Sequence, residues 1–325
     1  MPKKFVLALA VLLCSMTLLF AQAEGEAEEG EKLTVTVGIP NGAPPSLPVM
    51  HMVEDKLLGE NVEIVMDFWT APEQLIAMVQ DKNHDMFAFP LTVVAKLYNK
   101  GLAVRLMNVN TWGVTYFLTT DPDFESWGDL EGKTVYIPLQ SSPPDALTQY
   151  FLNEAGLTPG EDVEIIYATT AEVAQLFAGG KAQYGTLIEP QVTNAMMKNP
   201  EVRRALAFEN EWQRVTGTDT MIPNAGFGTT QGFIDAHPEF VAAFQEAYEE
   251  SVNWVLENPA EAAALAEKYV GMSAKVVEKA VPYTGLCFKS AVEAKPELDM
   301  FYDLLNSFDP SMIGGKIPDD GMLYD

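Results

Sequence analysis

Apolar positions along this chain fall into short runs rich in Val, Ile and Phe that alternate with stretches of helical spacing, and the same succession occurs twice. From Leu33 to Pro90 the order is LTVTVGIP, a Pro/Gly-rich turn, a helical stretch, NVEIVMDF, then EQLIAMVQDKNHDMFAFP. From Lys133 to Pro190 it is KTVYIP, a Ser/Pro turn, a helical stretch, DVEIIYA, then AEVAQLFAGGKAQYGTLIEP. Such runs separated by amphipathic helices predict parallel α/β units, whose ligands gather at the carboxyl ends of the strands. The fold class is therefore α/β, with two like lobes facing each other across a cleft, each a mostly parallel sheet flanked by helices.

Between and beyond the two units the pattern predicts connecting elements. Thr92–Lys100 reads as a helix, AVRLMNV as a strand, and Trp112–Thr120 as an arm that leads into Asp121-Pro122-Asp123. After Pro190, QVTNAMMKN reads as a helix stopped at Pro200, RRALAF as an edge strand, and TMIPNAGFGTTQGFI as a second arm. The remainder reads as helical: a long helix ended by Asn258-Pro259, a second ended at Gly271, AKVVEKAV behind a Ser273 N-cap, and Pro296–Ser307. These helices are assigned to the back of the first lobe. The predicted divisions are 32–117 for the first part of lobe I, 118–221 for lobe II and 222–325 for the rest of lobe I. One lobe interrupted by another, with two crossings, is a hinge architecture.

Composition bounds the class of function. With 325 residues, 48% of them hydrophobic, the chain has core enough for two domains. Its formal charge is −26, which repels phosphate backbones and argues against nucleic acid as a partner. The segment MPKK, the apolar run Phe5–Phe20 and Ala21-Gln22-Ala23 predict an export signal over residues 1–23, cleaved before Glu24. The expected location is periplasmic or extracytoplasmic. Cys14 raises a lipid-anchor alternative, which the bulky Leu13 and the apolar residues after Cys14 disfavour. Residues 24–31 (EGEAEEGE) read as a solvated acidic spacer. Cys287 then has no partner for an intrachain disulfide and reads as a small buried apolar residue.

The order VGIP-N-G, EQLIAMVQDKNHDMFAFP, DLEGKTVYIP, LNEAGL, DVEIIYA, FIDAHPEFVAAFQEAYEESVNWVLENP and terminal GGKIPDDG resembles the periplasmic substrate-binding proteins of ABC importers. Within them it is most similar to the branch that binds nitrate, sulfonates, taurine and thiamine-pyrimidine precursors. The resemblance spans the chain from Leu33 onward. It implies a type II two-lobed fold with a two-strand, Venus-flytrap hinge, no cofactor and no catalysis. It also implies a monomer that captures a small organic molecule, heterocyclic, amine-bearing or sulfonate-like, and delivers it to a permease whose ATPase is a separate chain. Two departures weigh against a simple inorganic anion: the turn QSSPPD where many relatives carry a glycine-rich cradle, and Trp69 where a small polar residue is common. The same bilobal fold leaves two alternatives, an enzyme of pyrimidine- or menaquinone-precursor synthesis and a periplasmic ligand sensor.

Candidate ligand residues follow from the strand ends. Ser141 and Ser142 precede a helix that opens with two prolines, so their hydroxyls and the helix N-terminus could meet a ligand oxygen; the structural alternative is an ordinary N-cap. Asn41 lies in the equivalent turn of lobe I. Trp69 and Thr70 follow the second strand of lobe I, and Tyr167 ends its counterpart in lobe II, an arrangement that could sandwich a flat ring. Leu91, Thr92 and Glu189 stand at the ends of the third strands, with Glu189 a candidate acceptor for an amine or ring N–H. Trp112 lies on a hinge arm, where packing is its other role. His51, His84 and His237 have no partner at metal-ligand spacing and read as surface residues, so no metal site is expected.

Overall fold

The structure, a computed structural model, describes residues 32–138 and 140–325, so the expected signal segment, Cys14 and the acidic spacer lie outside the described residues. In the first repeat, β1 (Leu33–Pro40), β2 (Val62–Trp69) and β3 (Met86–Pro90) are parallel, with β1 in the middle. In the second, β7 (Thr134–Pro138), β8 (Glu164–Ala168) and β9 (Tyr184–Ile188) repeat that arrangement, with β7 in the middle. Alternation explains β1, where Val35, Val37 and Ile39 are fully buried on one face. The helices between strands start where prolines dispense with a backbone donor, as in α2 (Pro72–Asp81) and α4 (Pro143–Glu154), or where a capping box forms, as at Thr169 and Glu172 ahead of α5 (Thr170–Ala178).

Each sheet is completed by a strand that has just crossed from the other lobe. The lobe I order is β2-β1-β3-β11-β5-β12, with β4 (Val104–Leu106) also paired to β11; lobe II is β8-β7-β9-β6-β10. Here β5 is Asn108–Trp112, β6 Thr115–Thr119, β10 Arg203–Ala207, β11 Pro223–Thr230 and β12 Leu286–Ser290. β11 lies antiparallel beside β3, and β6 antiparallel beside β9. The two lobes thus share one topology, and the chain passes between them twice. The first passage is Gly113–Val114, a few residues ahead of the expected break after 117, because all of β6 pairs with β9 of the second sheet. The second follows α7 (Phe208–Thr216), a helix that the apolar pattern did not reveal.

The C-terminal region packs on lobe I as expected, with one addition. After α8 (Gln231–Ala236), α9 (Pro238–Glu257) and α10 (Pro259–Val270) lie against α1 (Ser46–Glu54), followed by α11 (Ala274–Ala280) and α12 (Lys295–Phe308). Between the last two, β12 joins the edge of the lobe I sheet beside β5. Cys287 lies on this edge strand and is exposed, not buried as expected. Ser273 precedes α11 without a side-chain cap bond. The remaining helices are α3 (Leu91–Asn99) and α6 (Gln191–Lys198). α11 of lobe I meets α6 of lobe II, and α12 meets α4, so the lobes touch on two sides of the hinge.

Candidate functional site

The topology brings nine of the ten expected residues to the carboxyl ends of the parallel strands or to the turns just after them. On lobe I, Asn41 follows β1 and donates its backbone N–H to the Trp69 carbonyl at 2.8 Å, tying the ends of β1 and β2 together. Thr70 is exposed, and both its N–H and its hydroxyl donate to Gln74 Oε1, at 2.7 and 3.0 Å. Leu91 is buried, its carbonyl accepting from the Tyr302 hydroxyl at 3.1 Å, and Thr92 is the second residue of α3, whose N-cap position is Pro90. Trp69 is 8% exposed and belongs to a buried apolar cluster that includes Leu75 and Leu91 of lobe I and residues of lobe II such as Phe117 and Phe151. Its indole N–H is buried without an acceptor among the described residues.

On lobe II, the turn before α4 is knit to itself. Ser142 is the N-cap: its hydroxyl accepts the Asp145 N–H at 3.4 Å and donates to the Pro138 carbonyl at 2.9 Å. Ser141 is exposed with φ +58°, and its N–H donates to Asp145 Oδ2 at 2.8 Å. Asp145 is 1% exposed, and its Oδ1 accepts from Gln149 at 2.7 Å and from the Tyr167 hydroxyl at 3.1 Å. Burial, with the Asp145 charge behind it, pushes the Tyr167 hydroxyl up to about 12, so it stays protonated and donates at neutral pH. Asp145, which the sequence reading did not single out, is the residue that ties this turn together; its signal was a carboxylate in the first turn of a helix whose two leading residues are prolines.

Glu189 departs from its expected role. Its carboxylate is enclosed within lobe II, where Arg204 pairs with it through Nε at 3.0 Å and through Nη2, and the Thr193 N–H donates to it at 3.1 Å. Burial raises its pKa, against which Arg204 and Thr193 act. The charge is thus consumed inside one lobe and does not span the two. Arg204 in turn lies over Tyr283 of lobe I, 3.8 Å from the ring centre, and the Tyr116 hydroxyl of β6 donates to the Tyr283 carbonyl at 3.0 Å. Pro190 closes a cavity of about 20 Å3 against Gly42, Pro44, Leu47 and Met272 of lobe I, room for one water.

Trp112 is set below the strand ends and packs at the hinge. Its Nε1 donates to the Cys287 carbonyl at 2.7 Å, and the Lys289 ammonium lies 5.0 Å from its ring. Glu209 of α7 joins the two passages: its Oε2 accepts the Ile222 N–H at 3.0 Å and rests against Gly113, where a Cβ would come within 2.6 Å of it. Burial raises the Glu209 pKa, and nearby Glu297 adds to the effect.

The histidines are not all at the surface. His51 is buried, stacked 3.9 Å from Trp254, with Nδ1 2.9 Å from Ser251 Oγ and Nε2 3.4 Å from Asp55. This carboxylate–imidazole–hydroxyl line resembles a nucleophile with its base, but Ser251 is 0% exposed and no substrate reaches it. His84 bridges Asp67 and Asp81 at 2.9 and 3.1 Å. With His237 it borders a groove of about 590 Å3 at the opposite end of the lobe I sheet, away from every expected ligand residue.

Comparison with known proteins agrees with this geometry. A family model described as NMT1/THI5 like matches residues 59–262. A Bacillus subtilis protein provisionally named the binding protein YtlA is 25% identical over 142 residues, 43% of this chain, and the match spans only 40% of that protein's length. Among solved structures, an ABC transporter protein from Parabacteroides distasonis superposes with a TM-score of 0.78 at 22% identity, covering 90% of this chain and 99% of that one. The periplasmic aliphatic sulphonate binding protein SsuA from Escherichia coli gives 0.72 at 15% identity, covering 90% and 92%. The periplasmic nitrate-binding protein NrtA from Synechocystis gives 0.58 at 16%, covering 85% and 80%. The shared fold is that of type II periplasmic binding proteins.

Proposed function

This chain belongs to the NMT1/THI5-like family, and from that premise we propose that it is the extracytoplasmic solute-binding component of an ABC importer. The observation that carries this reading is the repeated strand order of the two sheets joined by two passages, an arrangement that suits a ligand held between two like lobes. A ligand held there touches both lobes only when they are closed, so its binding energy shifts an open–closed equilibrium toward closure. Binding and delivery are the whole activity, with no cofactor and no reaction. The ligand is a small organic molecule, contacted by the turns that hold Asn41, Trp69, Thr70, Ser141 and Tyr167. The partners are a membrane permease and its ATPase, and the protein acts as an exported monomer.

The structures that share the fold are described as binding sulphonates or nitrate, which supports a binding role for this one. The test is uptake. A small molecule released from the purified protein, once identified and isotopically labelled, enters cells that carry this chain and fails to accumulate in cells that lack it. Equal uptake in both contradicts the proposal.

A further inference from the structure

The two passages between the lobes meet at one titratable side chain. Gly113 of the first passage donates its N–H to the Ile222 carbonyl at 2.9 Å, and the Ile222 N–H donates to Glu209 Oε2 at 3.0 Å. The same carboxylate rests against Gly113, so a single residue of α7, a helix packed on β6 and β10 of lobe II, touches both passages.

Lobe I brings a second carboxylate to the same place. Thr220, two residues before Ile222, donates its hydroxyl to Met300 Sδ at 3.5 Å, which sets α12 against the second passage. One turn earlier on α12, Glu297 is 8% exposed; its Oε1 pairs with the Lys289 ammonium of β12 at 2.7 Å, and its Oε2 is buried with no partner among the described residues. Glu209, half-buried, has no cation paired with it among the described residues: its Oε1 meets only Gln213 Nε2, at 3.4 Å. The Tyr116 phenol of β6, pushed up to about 12 mainly by burial, stays protonated and adds no charge.

Two carboxylates, one from each lobe, thus share one ammonium, and like charges held together in a poorly solvated place favour uptake of a proton by one of them. Lys289 is committed to Glu297, which leaves Glu209 to take it. Burial, and then Glu297, raises the Glu209 pKa against the Ile222 hydrogen bond and Lys289. On the premise that the lobes open and close over a solute, we infer that Glu209 is a positioning residue whose protonation sets the balance between the open and closed arrangements. With Arg204 seated on Tyr283, an ionised Glu209 faces Glu297 across the lobe boundary. Parting the lobes lets water reach the carboxylate and relieves that repulsion, so the proton is held better when the lobes are together. Closure is therefore favoured as pH falls and is lost as pH rises through the raised value.

Small-angle scattering of the ligand-free protein from pH 4.5 to pH 8 tests this, both in the parent and in Tyr283→Ala, where the contact that holds the lobes together is weakened. The radius of gyration should fall with pH, as the ratio of closed to open molecules rises about threefold to tenfold. Glu209→Gln keeps an acceptor for the Ile222 N–H and the packing on Gly113, but has no charge to lose; it should be compact across the range and lose most of the pH response. Glu297→Gln removes the facing charge and should move the midpoint to lower pH. His51 and His84 titrate in the same range and are untouched by these changes, so the part of the response that Glu209→Gln removes belongs to Glu209. Circular dichroism at each pH confirms that every variant is folded. A radius of gyration independent of pH in both backgrounds, one that grows as pH falls, or a pH response that survives Glu209→Gln overturns the inference. Each of these leaves the solute-binding reading to the uptake test, which needs no pH dependence.

Discussion

The Arg204 guanidinium of lobe II lies 3.8 Å from the centre of the Tyr283 ring of lobe I, so a charge anchored by buried Glu189 is seated on an aromatic face across the cleft. Together with the Tyr116–Tyr283 hydrogen bond and the Pro190 contact, this makes one side of the hinge a latch that holds the lobes together. Tyr283 is 43% exposed, which places the stacking term at the exposed end of the range, about 0.5–1 kcal/mol. Tyr283→Ala is therefore expected to shift the open–closed balance by about twofold to fivefold with little effect on folding. Small-angle scattering checks this: the variant has the larger radius of gyration before ligand is added, and superimposable curves contradict the latch.

At the hinge itself, Gly113 has φ +49° and the Glu209 carboxylate pressed against it. Gly113→Ala combines left-handed strain with a steric clash, at a cost of about 1–3 kcal/mol. Part of that loss should return in the double variant with Glu209→Ala, because the closest contact, with the carboxylate, is then removed while the one with the residue 209 Cβ at 3.0 Å remains. Denaturant unfolding of the single and double variants measures the coupling. Strictly additive effects would show that the two residues do not press on each other.

Two histidines should titrate in opposite senses. Burial lowers the His51 pKa, against the pull of Asp55, so its neutral form is favoured in the folded state and stability falls as pH drops below about 6.5. For His84, burial also acts downward, but the hydrogen bonds and charges of Asp67 and Asp81 prevail and raise its pKa. Its contribution is fully present below about pH 6.5 and is lost as pH rises through the raised value. His84→Gln should therefore cost more stability near pH 5.5 than near pH 8, and His51→Gln more near pH 8 than near pH 5.5. Equal losses at both pH values for either variant would contradict its assignment.

The sequence made the repeat legible because β1, β2, β3 and their counterparts β7, β8 and β9 are held by local apolar alternation and by prolines and caps within the same stretch. What escaped it depends on distant partners. In α7 only Phe208 and Trp212 are buried, one turn apart among charged residues, too few to mark a helical stripe. β12 is five residues long and pairs with β5, far earlier in the chain, so nothing local distinguishes it from the helices on either side. The strand-end positions of Trp69, Tyr167 and Glu189 were readable; their partners were not. Glu189 looks like an open carboxylate until Arg204 is brought beside it from β10, and Asp145 looks like an N-terminal helix acid until Tyr167 and Gln149 close around it.

Closure of two lobes over one ligand is the central claim, and a distance across the cleft tests it most directly. Glu73 and Ala171 are exposed residues in the first turns of α2 and α5, equivalent helices of the two lobes, and the exposed Cys287 must first be replaced by Ser so that it takes no label. With Glu73→Cys and Ala171→Cys carrying spin labels, pulsed dipolar spectroscopy reads the separation before and after saturation with the molecule the protein releases. The account predicts that the ligand shortens and narrows the distance distribution, or leaves it narrow and short where the latch has already closed the lobes, in which case Tyr283→Ala restores a long component that the ligand abolishes. A distribution that ligand leaves unchanged in both the parent and the Tyr283→Ala protein would contradict it.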